Sequence, residues 1–186
     1  HRDLHSFPTR RSSDLMSNFF KETDIDTSQA EAIVTETLKN CDDGELYLEN
    51  HKSESIVLDD NKIKSSTYNS DQGYGFRAVT GEVVAYSHSN DISKESLKKS
   101  SDNLKDTLKS KKGTYNHEIP KTNSKYYENI NPIESKTFDS KIDLLNSVNN
   151  YLRSKGSIVN QVTANFLGEH KSIEIIRSDN QVLKDD

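Results

Sequence analysis

The chain has 186 residues, with 25 Lys and Arg against 30 Asp and Glu, and a net charge of −5 at pH 7. An acidic chain lacks the basic surface that binds nucleic acid, and no apolar run approaches the roughly 20 residues of a bilayer-crossing helix. The single cysteine, Cys41, excludes an internal disulfide and any site with several Cys ligands. We therefore expect a cytoplasmic protein with neither nucleic acid nor membrane as a direct partner.

The first fifteen residues, HRDLHSFPTRRSSDL, do not resemble a folded segment. They begin like a protein-kinase catalytic loop, but Pro8 stands where that loop needs a magnesium-binding Asn. They also lack the apolar stretch of a secretory signal. A common short-read sequencing adapter translates to all fifteen residues, so we expect 1–15 to be an artefactual, disordered tail and the domain to span 16–186.

A helix is predicted over about 28–40. Ser28 and Glu31 have the spacing of a capping box. Apolar residues then recur at helical intervals up to Cys41. Because no His is placed to activate its thiol, Cys41 is interpreted as a small core residue rather than a nucleophile.

Residues 44–89 change to a period of two and predict an antiparallel β-meander. Short runs rich in Ile, Val, Leu, Tyr and Phe alternate with Asn, Asp, Ser and Gly. The predicted turns are Asp59-Asp60-Asn61, Asn69-Ser70-Asp71 and Thr80-Gly81.

A second helix is predicted over 93–110, with Ser93 as N-cap and Ile92 and Leu97 as a hydrophobic staple. Its apolar stripe is thin, so we expect a surface helix held by few contacts. Residues 111–136 lack any period and predict a polar crossing segment that docks through three apolar side chains: Tyr126, Tyr127 and Ile133.

The third predicted helix, 138–154, has the strongest helical spacing. Its expected buried stripe is Phe138, Ile142, Leu145, Val148 and Leu152. Strands are predicted over 158–186, with turns at Gly168-Glu169-His170 and Asp179-Asn180 and a last, interrupted strand from Val182. The predicted fold class is α+β: an antiparallel β-meander with three flanking helices and a C-terminal β-hairpin.

Chemically reactive side chains do not form a recognisable constellation. None of the four histidines beyond the tail has the i, i+4 helical spacing of a metal site, and Pro120 breaks any helix after His117-Glu118. The four are His51, His88, His117 and His170. The Asp42-Asp43 and Asp59-Asp60 pairs are interpreted as turn residues. We assign no catalytic, cofactor-binding or metal-binding residue.

Gly73 and Gly75 sit between strand signals rather than at the start of a helix, so they do not form a phosphate loop. We interpret them as structural: a bulge, or a place where another backbone crosses closely. The alternative left open is contact with a peptide ligand.

The stretch 44–93, GELYLENHKSESIVLDDNKIKSSTYNSDQGYGFRAVTGEVVAYSHSNDIS, resembles the N-terminal domain of the TldD/PmbA family of zinc metallopeptidases, also described as modulators of DNA gyrase. The Asp71-Gln72-Gly73-x-Gly75-x-Arg77 run points to the TldD branch. A looser likeness extends over about 28–186. Two departures, Val83-Val84 and Asn180-Gln181, both remain compatible with hairpins.

The resemblance implies an intracellular peptidase that acts on extended or unfolded peptides together with a PmbA-type partner. Its zinc site, a His-Glu-x-x-x-His helix, would lie in a C-terminal half that we expect beyond residue 186. The full-length protein would hold zinc and this chain none. The chain would be the non-catalytic domain that shields the active-site chamber, contacts the C-terminal half and contributes to assembly.

The competing interpretation is a stand-alone module that binds a protein by pairing with an exposed strand edge. A regulator of gyrase that contacts nucleic acid directly is disfavoured by the negative charge.

Overall fold

A computed structural model describes residues 19–109, 113, 130–177 and 182–185. Three helices and five strands follow one another as α1 Thr27–Leu38, β1 Asp43–Asp59, β2 Lys62–Thr80, β3 Val83–Ser89, α2 Lys94–Leu108, α3 Phe138–Arg153, β4 Thr163–Arg177 and β5 Val182–Asp185. The strands form one antiparallel sheet in the order β3-β2-β1-β4-β5. The predicted α+β class, with its meander, three helices and C-terminal hairpin, is confirmed. The expected tail 1–15, Tyr126, Tyr127 and the predicted turn at 179–180 lie outside the described residues.

The three helices pack on one face of the sheet. Along β1, even-numbered side chains such as Leu46 and Ile56 are buried, whereas odd-numbered ones such as Tyr47 are partly exposed. This alternation follows from the pleat, which points successive side chains to opposite faces. We call the face of the odd-numbered β1 residues the open face, because no described helix packs there.

The covered face carries two separate apolar clusters. The larger one joins α1 and α2 to Leu46, Leu48 and Phe76. The smaller one joins Leu145 of α3 to Ile56 and Leu58. A buried ion pair between Lys141 and Glu54 lies on this face near the smaller cluster.

The strands are longer than predicted, and two predicted turns are wrong. Asn69 pairs with Ser53 inside β2, and His170 pairs with Lys52 inside β4. Asn, Ser, Asp and Gly in these stretches are typical of turns, yet here they are strand residues, exposed throughout 69–71 and half-buried at Gly168 and His170. The turns at 59–61 and 80–81 are confirmed, with positive φ at Asp60, Asn61 and Gly81.

Helix α1 begins two residues earlier than the predicted capping box. Asp26 is the N-cap: its carboxylate accepts the Gln29 backbone N–H at 2.8 Å, and the Gln29 side chain accepts the Asp26 N–H at 3.2 Å. A capping box is therefore present, but it is formed by Asp26 and Gln29 and not by the predicted Ser28 and Glu31. Cys41 is buried, as predicted.

Helix α2 has the predicted Ser93 cap and buries both staple residues, Ile92 and Leu97. It is held more firmly than its thin apolar stripe suggested. Tyr74 shares hydrogen bonds of 2.8 Å with Ser96 and with Ser100, which also accepts from Ser87 at 2.9 Å, and Thr37 of α1 bonds Ser101 at 2.6 Å. Buried hydroxyls thus replace part of the expected apolar contact.

Helix α3 turns a different side to the sheet from the one predicted. It buries Lys141, Leu145 and Asn149, so only Leu145 of the predicted stripe is buried. Two polar contacts set this rotation: Lys141 bonds Glu54 of β1, and Asn149 bonds Asn61 in the β1–β2 turn. Of the remaining stripe residues Ile142 is half-buried, and the others are exposed: Phe138, Val148 and Leu152.

A groove on the open face as candidate functional site

The open face carries a groove of about 320 Å³ near the β3 end of the sheet. Its floor lies over Gly73 and Gly75 of β2, which pair with Glu49 and Tyr47 of β1. The remaining lining residues are His51, Asp71, Gln72, Tyr74, Tyr86, Ser89 and Asn90. The groove therefore exists because two neighbouring open-face positions of β2 have no side chain.

Each glycine is required by a close approach. A Cβ on Gly73 would come within 2.8 Å of the Ser89 carbonyl oxygen, so the predicted crossing of another backbone is confirmed there. A Cβ on Gly75 would come within 2.5 Å of the Tyr86 hydroxyl, because the exposed Tyr86 side chain lies across this position. Sequence reasoning found the two glycines but not the tyrosine above them.

A hydrogen-bonded chain forms the β1 wall of the groove. The Tyr47 hydroxyl donates to Glu49 at 2.5 Å, and the Lys171 ammonium lies 3.3 Å from the same carboxylate. Burial and the hydrogen bond to Glu49 raise the pKa of Tyr47. The hydrogen bond from Tyr47, assisted by Lys171, lowers the pKa of Glu49. At neutral pH, this wall of the groove therefore carries the neutral phenol of Tyr47 and the ionised carboxylate of Glu49.

A network of four charges fixes the same face next to the groove. Arg77 and Arg177 each place a guanidinium nitrogen 2.7 Å from Asp43, and both also contact Glu45. Burial alone would raise the pKa of Asp43, but the hydrogen bond from Arg77 and the charge of Arg177 outweigh it and lower that pKa. Two Arg and two carboxylates in mutual contact hold β1, β2 and β4 in register at this end.

The histidines do not converge. His51 lines the groove, His88 stacks on Tyr86 with ring centres 5.8 Å apart, and His170 pairs across strands with Lys52. His117 lies outside the described residues. Among the residues that the structure describes, no group of three or more His, Cys, Asp or Glu could hold a metal ion, so these residues do not fit zinc. Burial raises the pKa of the Cys41 thiol, which makes it a poor nucleophile.

Residues 44–109 match the family model of PmbA/TldA metallopeptidase domain 1. The chain contains the first domain of the TldD family. Over 148 residues it is 32% identical to the metalloprotease TldD homolog of Buchnera aphidicola from Acyrthosiphon pisum, and over 153 residues it is 30% identical to that of Haemophilus influenzae. Both alignments cover 79% of this chain and 31% of the relative, so this TldD-family chain spans about a third of the length of those relatives.

Solved structures share the TldD-family fold at low identity. A crystal structure from Bacteroides thetaiotaomicron, described as a modulator of DNA gyrase, has a TM-score of 0.61 at 16% identity and covers 87% of this chain and 38% of its own. TldE from Thermococcus kodakarensis has a TM-score of 0.57 at 11% identity and covers 84% of this chain and 37% of its own. These likenesses concern the fold.

The described helices include none with the length and apolar character needed to cross a membrane.

Proposed function

We propose that this chain is the non-catalytic first domain of a TldD-like zinc metallopeptidase that acts in the cytoplasm on extended or unfolded peptides. The domain match and the TldD homologs support the parent activity. Zinc and the catalytic side chains belong to another part of the full-length protein. A partner of the PmbA or TldE type completes the assembly, a suggestion supported by the likeness to TldE.

The groove on the open face carries the proposed role in peptide handling. The backbone that lies close over Gly73 is the chain's own, at Ser89, so a peptide backbone would approach the sheet over Gly75, beside the exposed Tyr86 side chain. Tyr47 and Tyr86 offer aromatic surface on either side, and Glu49 and Asn90 offer acceptors at the margins. An extended peptide needs this combination of a flat floor, apolar walls and a few polar groups.

Peptide titration of wild type and two variants tests this role. Gly75→Val fills the floor, whereas Ser55→Val adds a similar β-branched side chain on the open face away from the groove. We expect Gly75→Val to weaken binding of a labelled, unstructured ten-residue peptide library by about tenfold, and Ser55→Val to change it by less than about twofold. Fluorescence anisotropy measures the affinity, and thermal melting verifies that both variants fold. Equal binding by Gly75→Val and wild type would refute the groove as the peptide site.

A second candidate, a stand-alone protein-binding module, is favoured by two strand edges. In the described sheet β3 pairs only with Tyr74–Thr80 of β2, and β5 only with Ile173–Ile176 of β4. The other parts of β2 and β4 therefore have a described strand on one side only, and such edges are templates for strand addition.

Sequencing the DNA beyond the Asp186 codon separates the candidates. A frame continuing into a His-Glu-x-x-x-His helix supports the peptidase, and a stop codon supports the module.

A further inference from the structure

The groove on the open face contains a carboxylate that the protein itself does not neutralise. Asp71 and Glu49 are the two acidic residues that line the groove, and no described Lys or Arg lines it. The Glu49 carboxylate is bonded by Tyr47 and lies beside Lys171. Asp71 is exposed, and within the described part of the chain it forms no hydrogen bond or ion pair. The groove therefore carries an uncompensated negative charge at Asp71.

The nearest cations on the open face do not cancel this charge. Asp71 of β2 pairs with His51 of β1, and His51 pairs with Lys171 of β4. Lys171 is therefore two strands away from Asp71, about 10 Å at the spacing of a sheet, and its ammonium lies beside Glu49 instead. Arg77 belongs to the four-charge network, in which two positive and two negative charges balance.

Aromatic rings in the groove favour a cation as well. Tyr47 and Tyr86 both line it, and a ring attracts an ammonium or guanidinium group within about 6 Å of its centre. Asp71 lies four residues from Gly75 on the same strand, about 13 Å along β2. An extended peptide that covers Gly75 therefore needs only about five residues to reach Asp71 as well.

We propose that the groove selects peptides that carry a positive group, and that Asp71 provides this selectivity. The inference rests on the proposed binding of peptides by the open face. A peptide supplies an ammonium or guanidinium group either from a Lys or Arg side chain or from its free N-terminus. Such a group meets an opposite charge at Asp71, whereas an acidic peptide meets a like charge there.

Fluorescence anisotropy of the 186-residue chain with four peptides, each of ten residues and labelled at the C-terminus, tests the selectivity. The parent peptide is uncharged and N-acetylated. The second has one central Lys, the third one central Glu, and the fourth is the parent with a free N-terminus. We expect the Lys peptide, the free-N-terminus peptide or both to bind at least about threefold more tightly than the parent, and the Glu peptide at least about threefold more weakly. A gain by either cationic peptide identifies the source of the positive group.

Two variants locate the effect. In Asp71→Asn, the four peptides should bind within about twofold of one another, and the affinity for the parent should stay within about twofold of wild type. The matched control Glu169→Gln removes an exposed carboxylate on the open face outside the groove and should keep the wild-type selectivity. Thermal melting verifies that both variants fold.

The possible results separate this inference from the proposed function. Equal affinity of the wild type for all four peptides, or unchanged selectivity in Asp71→Asn, would overturn the charge selectivity and leave the groove as a peptide site. Binding of none of the four peptides would overturn the proposed peptide binding, and the selectivity with it.

Discussion

The ion pair between Lys141 and Glu54 is one of the two polar contacts that set the rotation of α3. Both side chains are less than one-tenth exposed. The Lys141 ammonium also donates to the Ile133 carbonyl at 2.7 Å and lies 5.7 Å from the centre of the Phe166 ring. Burying either charge alone costs several kcal/mol, so the two must remain together. Lys141 therefore lies where sequence periodicity expects an exposed residue.

Removing one partner of this pair should destabilise the domain strongly. We expect Lys141→Met to lower the free energy of unfolding by about 3–5 kcal/mol, because Glu54 would remain buried without its partner. The double variant Lys141→Met with Glu54→Leu should recover most of that loss. Urea denaturation measures both, with the exposed Lys136→Met as control. A loss below about 1 kcal/mol in the single variant would mean that the pair does not hold α3.

At the scale of elements, the local signals in the sequence located helices well and strands poorly. Capping residues and helical spacing found all three helices within a few residues, since these signals depend on neighbours in the chain. The predicted turns divide each of the strands β2 and β4 in two, because the polar middles of these strands have no apolar alternation. These middle segments are strands because they pair with residues of neighbouring strands that are distant in the sequence.

The groove could be predicted only in part, because the sequence does not give the register in which β1, β2 and β3 pair. Gly73 and Gly75 were recognised from their composition alone. That Tyr47 pairs with Gly75, and that Tyr86 lies over it, follows only from uninterrupted β1–β2 and β2–β3 ladders. With a turn placed at 69–71, that register could not be derived.

The start of α1 offers a direct comparison between the predicted and the observed cap. Asp26→Ala should lower the free energy of unfolding by about 0.5–2 kcal/mol, because the Gln29 backbone N–H loses its acceptor. Ser28→Ala, the cap predicted from sequence, is exposed and should change stability by less than about 0.5 kcal/mol. Thermal or urea unfolding of the pair measures the difference. The opposite order of effects would return the helix start to Ser28.

In the molecule as a whole, the two faces of the sheet carry different features. The covered face holds three helices and both apolar clusters, which supply stability. The open face holds the groove, the Tyr47–Glu49–Lys171 chain and the four-charge network. This division agrees with the proposed role of the open face in peptide binding.

In the proposed function, this first domain contributes no catalysis of its own. Metal analysis of the purified chain after dialysis against zinc, combined with a cleavage assay on an unstructured fluorogenic peptide, tests it most directly. We expect well below one zinc per chain and no cleavage above the buffer rate, while the peptide still binds. One tightly bound zinc per chain, or zinc-dependent cleavage, would contradict it.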